Sequence, residues 1–320
     1  MTPAREAWIP DSLDEALAIR AEHAERGASP VRPVAGGTDL MVQFRRHAPV
    51  PVELDATPLF VTRVPELRAI RRHADAWSIG AAVTLRELAC HELCDGNLGE
   101  TLRWFASPAI RNVATIGGNV CNASPAGDLL PWLLVRDAEL LLASRRGRRT
   151  VAVADFVVAP GRTTLAPDEL LVALLVPDRA GRERGDSGDA DGRRFSWYRK
   201  VSPRRSNALA KLSVCAEASR TRDGRLARLA MGIGAVAPTP IRVPEAETML
   251  AGASAADLRP AGSGGRPARS SLVTAALAAY ENHIRPIDDQ RSTAGYRRRT
   301  TLRLIADLLE RRLTTYLEQP

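Results

Sequence analysis

Two stretches of this sequence gather small, polar and flexible residues in a way that suits phosphate or hydroxyl recognition. The first is Pro33-Val34-Ala35-Gly36-Gly37-Thr38-Asp39-Leu40. Its glycine pair lets the backbone turn sharply and brings N–H groups toward a ligand with no Cβ in the way. The start of a following helix favours an anion, and Thr38 adds a hydroxyl, so the chemistry indicated is phosphate or pyrophosphate binding. The same residues also read as a plain strand-to-helix turn capped by Thr38 or Asp39. The second stretch runs Thr115-Ile116-Gly117-Gly118-Asn119-Val120-Cys121-Asn122-Ala123-Ser124-Pro125-Ala126-Gly127-Asp128. It has another glycine pair, the short donors Thr115, Asn119, Asn122 and Ser124, and a carboxylate able to accept from ribose or ribityl hydroxyls. Its plainer reading is a polar loop with Asp128 as a helix cap. Two such loops, about 80 residues apart, point to one shared dinucleotide site. A third string, Gly232-Ile-Gly-Ala-Val-Ala237, follows a strand but runs into Pro238-Thr-Pro240, so no helix opens to face a pyrophosphate.

The elements around these loops follow from periodicity and caps. Residues 12–26 read as a helix with Ser12 and Glu15 as a capping box and Gly27 as its stop. Val31 to Ala35 is a strand, and Leu40 to Arg46 a helix after the glycine turn. Val52 to Asp55, Leu67 to Arg72 and Trp77 to Ala81 read as strands. Thr84 to Glu87 is a second capping box, opening a helix to about Cys90. Leu98 to Phe105 reads as a helix, and Leu129 to Val135, Ala138 to Ala143 and Leu170 to Val176 continue a mixed pattern. Residues 178–194 lack an apolar stripe and read as an exposed linker. Beyond it, Leu209 to Ala218 and Leu226 to Val236 are strand-like. A loop at 251–270 and helices at about 271–283 and 292–317 follow, the order of an α+β domain.

Composition narrows the function. The chain has 320 residues, 45% hydrophobic and 26% charged, which suits about two globular domains. No apolar run reaches the roughly 18–20 residues of a membrane span, and no export signal is visible, so the expected location is cytoplasmic. The net charge of +8 comes from 45 basic and 37 acidic residues. The arginines are spread along the chain and mixed with acids, and aromatics are only 4%, which argues against a nucleic-acid surface. The cysteines, at 90, 94, 121 and 215, lack the spacing of a zinc or iron–sulfur site and read as small buried side chains. Lysine occurs only at 200 and 211. Where arginine is otherwise used, Lys200 marks a position suited to a compact cation; Lys211 reads as an ordinary surface lysine.

The motifs VAGGTDLM and TIGGNVCNASPAGD are similar to the two FAD-binding loops of the flavoprotein (medium) subunit of the molybdenum hydroxylases, the xanthine dehydrogenase and carbon monoxide dehydrogenase family. The resemblance continues through Trp197-Tyr-Arg-Lys-Val-Ser-Pro-Arg-Arg205 and Arg285-Pro-Ile-Asp-Asp-Gln-Arg-Ser-Thr-Ala-Gly-Tyr-Arg297. It implies a mixed α/β, α+β class chain. A two-part FAD-binding domain of the vanillyl-alcohol-oxidase-like type spans 1–178, with subdomains of about 1–56 and 57–178. A linker at 179–193, a smaller α+β domain at 194–305 and a C-terminal helix or tail at 306–320 complete it. The resemblance assigns residues 33–40 to the pyrophosphate and flavin edge, and Phe105 to a place beside the cofactor. It assigns Thr115, Ile116, Gly117, Gly118, Asn119 and Ser124 to the second loop, and Asp128 to a cofactor hydroxyl. Leu171 becomes an apolar contact, Lys200 a basic contact and Tyr198 a ring flanking the isoalloxazine. Tyr198 equally fits a half-buried strand tyrosine.

The same resemblance implies partners. A small subunit would carry two 2Fe–2S clusters and a large subunit the molybdenum cofactor, in a dimer of heterotrimers, with electrons leaving FAD for NAD, quinone or oxygen. No catalytic base, nucleophile or metal ligand is expected on this chain, and no extra cluster at Cys90 and Cys94. Xanthine-type relatives often carry an acidic residue after the Arg-Arg pair. Here Ser206-Asn207 stands there, which opens the question of the acceptor. Other readings are a free-standing flavin oxidoreductase on the same fold, a scaffold subunit that has lost FAD, which the intact glycine pairs oppose, and a basic nucleic-acid binder.

Overall fold

The computed structural model describes residues 7–26, 30–45, 54–94, 96–178, 190–260 and 268–319. Contacts gather the chain into two compact units, neither continuous in sequence. The first comprises Met1–Cys94, Phe105–Ser124 and Asp137–Pro177; the second comprises Asp95–Trp104, Pro125–Arg136 and Asp178–Pro320.

In the first unit, helix α1 (Leu13–Arg26) begins at Ser12, whose hydroxyl accepts from the Glu15 N–H at 3.2 Å. Glu15 reaches one residue further back than a standard capping box and accepts from the Asp11 N–H at 2.9 Å. Leu13, Ala16 and Leu17 pack with Leu59, Val64 and Leu67. Strand β1 (Val31–Val34) pairs in parallel with β2 (Thr57–Phe60), Val31 opposite Thr57. The strand expected at 52–55 therefore forms further along, because this register buries Leu59 completely; residues 52 and 53 lie outside the described residues. The segment 67–72 is likewise split: Pro65–Leu67 makes a short 3₁₀ turn before the strand starts at Ile70, as a proline at the first helical position favours.

The main sheet of this unit is antiparallel. It uses β3 (Ile70–Arg72), β4 (Ala76–Gly80), β5 (Glu139–Ser144), β6 (Gly147–Ala152) and a later strand, with β7 (Val157–Ala159) and β8 (Arg162–Thr163) as a separate small pair. With β9 (Leu170–Pro177) at the centre, the order is β3-β4-β9-β5-β6. Both edges expose arginines, Arg71 and Arg72 on β3 and Arg148 and Arg149 on β6, charges that discourage further strand pairing. Helix α3 (Leu85–Ala89) opens on the expected capping box, with the Thr84 N–H donating to Glu87 at 2.8 Å and the Glu87 N–H to Thr84 Oγ1 at 3.1 Å. Cys90, at its end, is exposed rather than buried and Cys94 is half-buried: the segment after a five-residue helix lies at the surface. Among the described residues no cluster of three or more His, Cys, Asp or Glu is placed to hold a metal.

The second unit is built on an antiparallel sheet of β10 (Ala190–Val201), β11 (Leu212–Thr221), β12 (Leu226–Gly234) and β13 (Ile241–Arg242). Strand β10 starts at Ala190, inside the expected linker; residues 179–189 lie outside the described residues. One sheet face presents Leu212, Val214, Ala216, Leu229, Met231 and Ile233 to a helical core containing Val273, Tyr280, Ile305 and Leu309. The other face carries α4 (Gly96–Trp104) and α7 (Leu130–Val135). Gly232 and Gly234, the glycines of the third string, belong to this packing. A Cβ at Gly232 would lie 2.2 Å from the Pro131 carbonyl oxygen, and one at Gly234 would lie 3.1 Å from Pro131 Cγ. Those glycines serve a helix, not a nucleotide. No helix among the described residues is long and apolar enough to cross a membrane.

Candidate functional site

The first glycine turn connects β1 to α2 (Leu40–Arg45). Gly37 has φ +66°, the left-handed region that glycine enters without strain. Gly36 is needed for another reason: its Cβ would fall 1.9 Å from the Val113 carbonyl oxygen, so the turn rests directly on neighbouring backbone. The Gly37 carbonyl accepts from the Met41 N–H at 2.8 Å and the Asp39 carbonyl from Gln43 at 3.0 Å. The N–H groups of Gly36, Gly37 and Thr38 have no acceptor among the described residues. Three consecutive unsatisfied donors at a turn without side-chain bulk are what an oxyanion needs. Asp39 is exposed, and partial desolvation raises its carboxyl pKa.

The second glycine pair is used differently. Helix α6 (Ile116–Cys121) is capped by Thr115, whose hydroxyl accepts from the Gly118 N–H at 3.1 Å. The Ile116 N–H donates to Val83 at 3.0 Å, Gly117 to Ala81 at 2.9 Å and Asn119 to Thr115 at 3.0 Å. A Cβ at Gly117 would sit 2.6 Å from both the Cβ and the carbonyl oxygen of Ala81. The close approach that the sequence assigns to a ligand is thus made by residues 81–83. This loop presents its side chains instead. Asn119 is buried and its amide oxygen has no hydrogen-bond partner, so it calls for a donor that the described protein does not supply. Gln43 of α2 donates to Asn122 Oδ1 at 3.1 Å, tying the two loops together within the first unit.

The remaining first-unit expectations are placed as follows. Phe105 is buried and its carbonyl accepts from Arg111 at 2.6 Å. Leu171 is buried in β9, opposite Leu142. Ser124 is half-buried at the end of its segment.

Asp128, Tyr198 and Lys200 come together in the second unit. Lys200 Nζ donates to Asp128 Oδ2 at 2.7 Å and to the Trp104 carbonyl, at the end of α4, at 3.1 Å. The side chains are 1% and 11% exposed. Burial outweighs the attraction of Lys200 and raises Asp128 to a pKa of about 6. Its second oxygen, Oδ1, is buried without a partner. Tyr198 lies two residues before Lys200 and so on the same face of β10. Its hydroxyl is buried and unpartnered in hydrogen-bond geometry. Burial pushes its pKa well up, as do the charges of Asp128 and Cys215, while the nearby Ser213 hydroxyl offsets this slightly.

Sequence reasoning missed a second buried ion pair on the same sheet face. Arg136, just after α7, donates to Glu217 of β11 at 3.2 Å. Nearby, Asn97 of α4 donates to the Ala216 carbonyl at 2.8 Å and accepts from Ser196 at 3.1 Å. In a chain with so many arginines nothing singles out Arg136; the apolar run before it and the strand alternation around Glu217 are the usable signals.

Comparison with known proteins gives concordant matches. The family model described as FAD binding domain in molybdopterin dehydrogenase matches residues 3–179, and that described as CO dehydrogenase flavoprotein C-terminal domain matches residues 197–311. The xanthine dehydrogenase FAD-binding subunit of Escherichia coli O157:H7 is 32% identical over 218 residues, covering 67% of this chain and 70% of the relative. The nicotinate dehydrogenase FAD-subunit of Eubacterium barkeri is 28% identical over 255 residues, covering 78% and 80%. A chain of the reconstituted CO dehydrogenase from Oligotropha carboxidovorans superposes with a TM-score of 0.77 at 24% identity, covering 96% of both chains, a likeness of fold.

Proposed function

The chain belongs to the family of FAD-binding domains in molybdopterin dehydrogenase, and we propose that it acts as the electron-transferring flavoprotein subunit of a three-subunit molybdenum hydroxylase. In this reading it receives electrons from 2Fe–2S clusters on a small subunit, a large subunit carries the molybdenum cofactor, and an external NAD, quinone or oxygen takes the electrons away. A cytoplasmic location and a dimer of heterotrimers complete the proposal. FAD, when bound, supplies the interchange between one-electron and two-electron chemistry.

The observation that carries the reading is the row of unsatisfied N–H groups at Gly36, Gly37 and Thr38, which fits the pyrophosphate of a dinucleotide. Pro33, Val34 and Ala35 lead into that turn, and Asp39 and Leu40 lead out of it. Thr115 and Ile116 fix α6, from which Asn119 offers its amide oxygen to a hydroxyl or ring N–H donor. Gly117 and Gly118 let α6 seat against residues 81–83, and Phe105, Ser124 and Leu171 shape the same unit. In the second unit Asp128 Oδ1 offers an acceptor to a hydroxyl, Lys200 holds the other carboxylate oxygen, and Tyr198 offers a buried ring and hydroxyl. None of these groups transfers a proton to substrate; they bind, orient and exclude water.

The test is an absorbance spectrum of the chain purified with its neighbouring subunits, followed by identification of the cofactor released on denaturation. About one FAD per chain is expected. A preparation that stays colourless after FAD is added, alone and with both partners, overturns the proposal.

A further inference from the structure

The motif Arg285–Arg297 lies in the second unit and is organised by one carboxylate. Asp289 accepts from the Arg291 N–H at 2.8 Å, from Arg291 Nη2 at 2.6 Å, from the Ser292 N–H at 3.2 Å and from Arg297 Nη2 at 2.5 Å. Arg297, near the start of the helix Ala294–Asp307, has a side chain only 2% exposed. Its other arm, Nη1, lies 3.5 Å from the Ala235 carbonyl oxygen. Ala235 is buried with φ +63°, a conformation that a residue with a Cβ rarely adopts. The backbone around it is held on both sides. The Ala235 N–H donates to the Pro125 carbonyl at 2.8 Å, and the Arg285 N–H donates to the next carbonyl, that of Val236, at 2.8 Å.

We propose that Arg297, held by Asp289, is a positioning residue for the cofactor site: it keeps the Ala235 turn closed on Pro125 and so sets where Asp128 stands. The inference rests on the reading of Asp128 as the acceptor for an FAD hydroxyl. Asp128 follows Pro125 by three residues, at most about 11 Å of chain, which leaves little to absorb a shift of that anchor. A left-handed alanine persists only where its surroundings over-determine it, and here its N–H, its carbonyl and the following carbonyl are all engaged. Stability alone does not call for the ion pair, since a buried pair can often be replaced by apolar side chains without loss. What the Arg297 fork adds is direction, one arm to Asp289 and one to Ala235. The same carboxylate also acts beside Lys200. Arg291 Nη1 lies 3.5 Å from the Ala210 carbonyl oxygen, and the N–H of the next residue, Lys211, donates to the carbonyl of Val201, the neighbour of Lys200, at 2.8 Å. Asp289 thus stands behind both members of the Asp128–Lys200 pair, and groups that bind one ligand geometry must be held to within about half an ångström.

Titration of FAD into the deflavinated complex of the chain with its neighbouring subunits, followed by quenching of flavin fluorescence, tests it. The double variant Arg297→Met/Asp289→Asn removes both charges and keeps an acceptor for the Arg291 and Ser292 N–H groups. It should bind FAD about tenfold more weakly or worse, the scale of loss when a group that orients a ligand-holding residue is removed. The visible circular dichroism of the bound flavin should change with it. Arg297→Lys keeps a charge beside Asp289 but not the fork that reaches Ala235, so its affinity should fall between the double variant and wild type. Ser254→Ala removes the cap of a short helix in the same unit and controls for stability alone. Its urea midpoint should drop while its FAD affinity stays within about twofold of wild type. The inference alone is overturned if wild type binds FAD and the double variant matches it within about twofold, or if Ser254→Ala weakens FAD as much as the double variant does. If the double variant fails to fold, Arg297→Lys decides, and wild-type affinity there overturns the inference. A wild-type complex that takes up no FAD overturns the cofactor reading, and this inference with it.

Discussion

The Gly36–Thr38 turn of the first unit offers backbone N–H groups and needs the absence of side chains. The Asp128–Lys200 pair of the second unit is built wholly from side chains sealed from water. The first is specified by what cannot be added, since a methyl group at Gly36 collides with the Val113 carbonyl. The second is specified by what cannot be removed, since either partner alone is an uncompensated buried charge. A polar site made of backbone is therefore intolerant of size and indifferent to charge, and one made of side chains is the reverse.

The largest effect is expected where that second rule is broken. Lys200→Met should destabilise the protein by about 3–5 kcal/mol, measured by urea unfolding, and the double variant Lys200→Met/Asp128→Leu should regain most of it. A single variant within 1 kcal/mol of wild type would mean that the pair is effectively solvated. Breaking the first rule comes next. Gly36→Ala should cost about 1–3 kcal/mol of overpacking and release FAD. Gly118→Ala, whose new methyl meets only the Thr115 hydroxyl, should cost less and retain FAD. Equal losses of FAD in the two variants would remove the distinction between the glycine pairs.

Titration sharpens the contrast, because the side-chain site buries its carboxyl whereas Asp39, beside the turn, is exposed. The folded Asp128 pKa, about 6, lies above the unfolded value of roughly 3.9. The native state then holds the proton over an interval in which the unfolded state has released it. Stability is highest below the unfolded pKa and falls as pH rises from about 4 to about 6, by roughly 1–3 kcal/mol. Asp128→Asn should flatten that part of the unfolding profile, while a variant of the glycine turn should leave its slope unchanged. The smallest expected change is Thr115→Ala, about 1 kcal/mol for a lost helix cap, seen as a lower midpoint in thermal unfolding.

Much of the local structure around the first turn was legible because glycine turns, caps and the helices after them are local. Thr84 and Glu87 declare their capping box within four residues, and the turn at 36–38 lies between a strand and a helix as its composition implies. The reasons for Gly36 and Gly117 were not legible, because Val113 and Ala81 meet them only through tertiary packing. The strand at Thr57–Phe60 was not legible because its position is set by burial of Leu59 against α1, not by propensity. Lys200 could be read from its rarity. Its donation of a hydrogen bond to the Trp104 carbonyl could not, being a contact over 96 positions. Arg136 and Glu217, 81 positions apart, carry no sequence mark in a chain so rich in arginine.

Residues 95–104 and 125–136 belong to the second unit although they precede much of the first. All six residues of α7, Leu130 to Val135, are buried, and their contacts are chiefly with β11, β12 and β13. Recombination between residues 179 and 197, where one family match ends and the other begins, would strand that helix with its apolar surface bare and leave the sheet missing one of its covers. Gene fusion and exchange can therefore move this subunit only as a whole, and a chimera that borrows one half from a relative must borrow both interleaved segments with it.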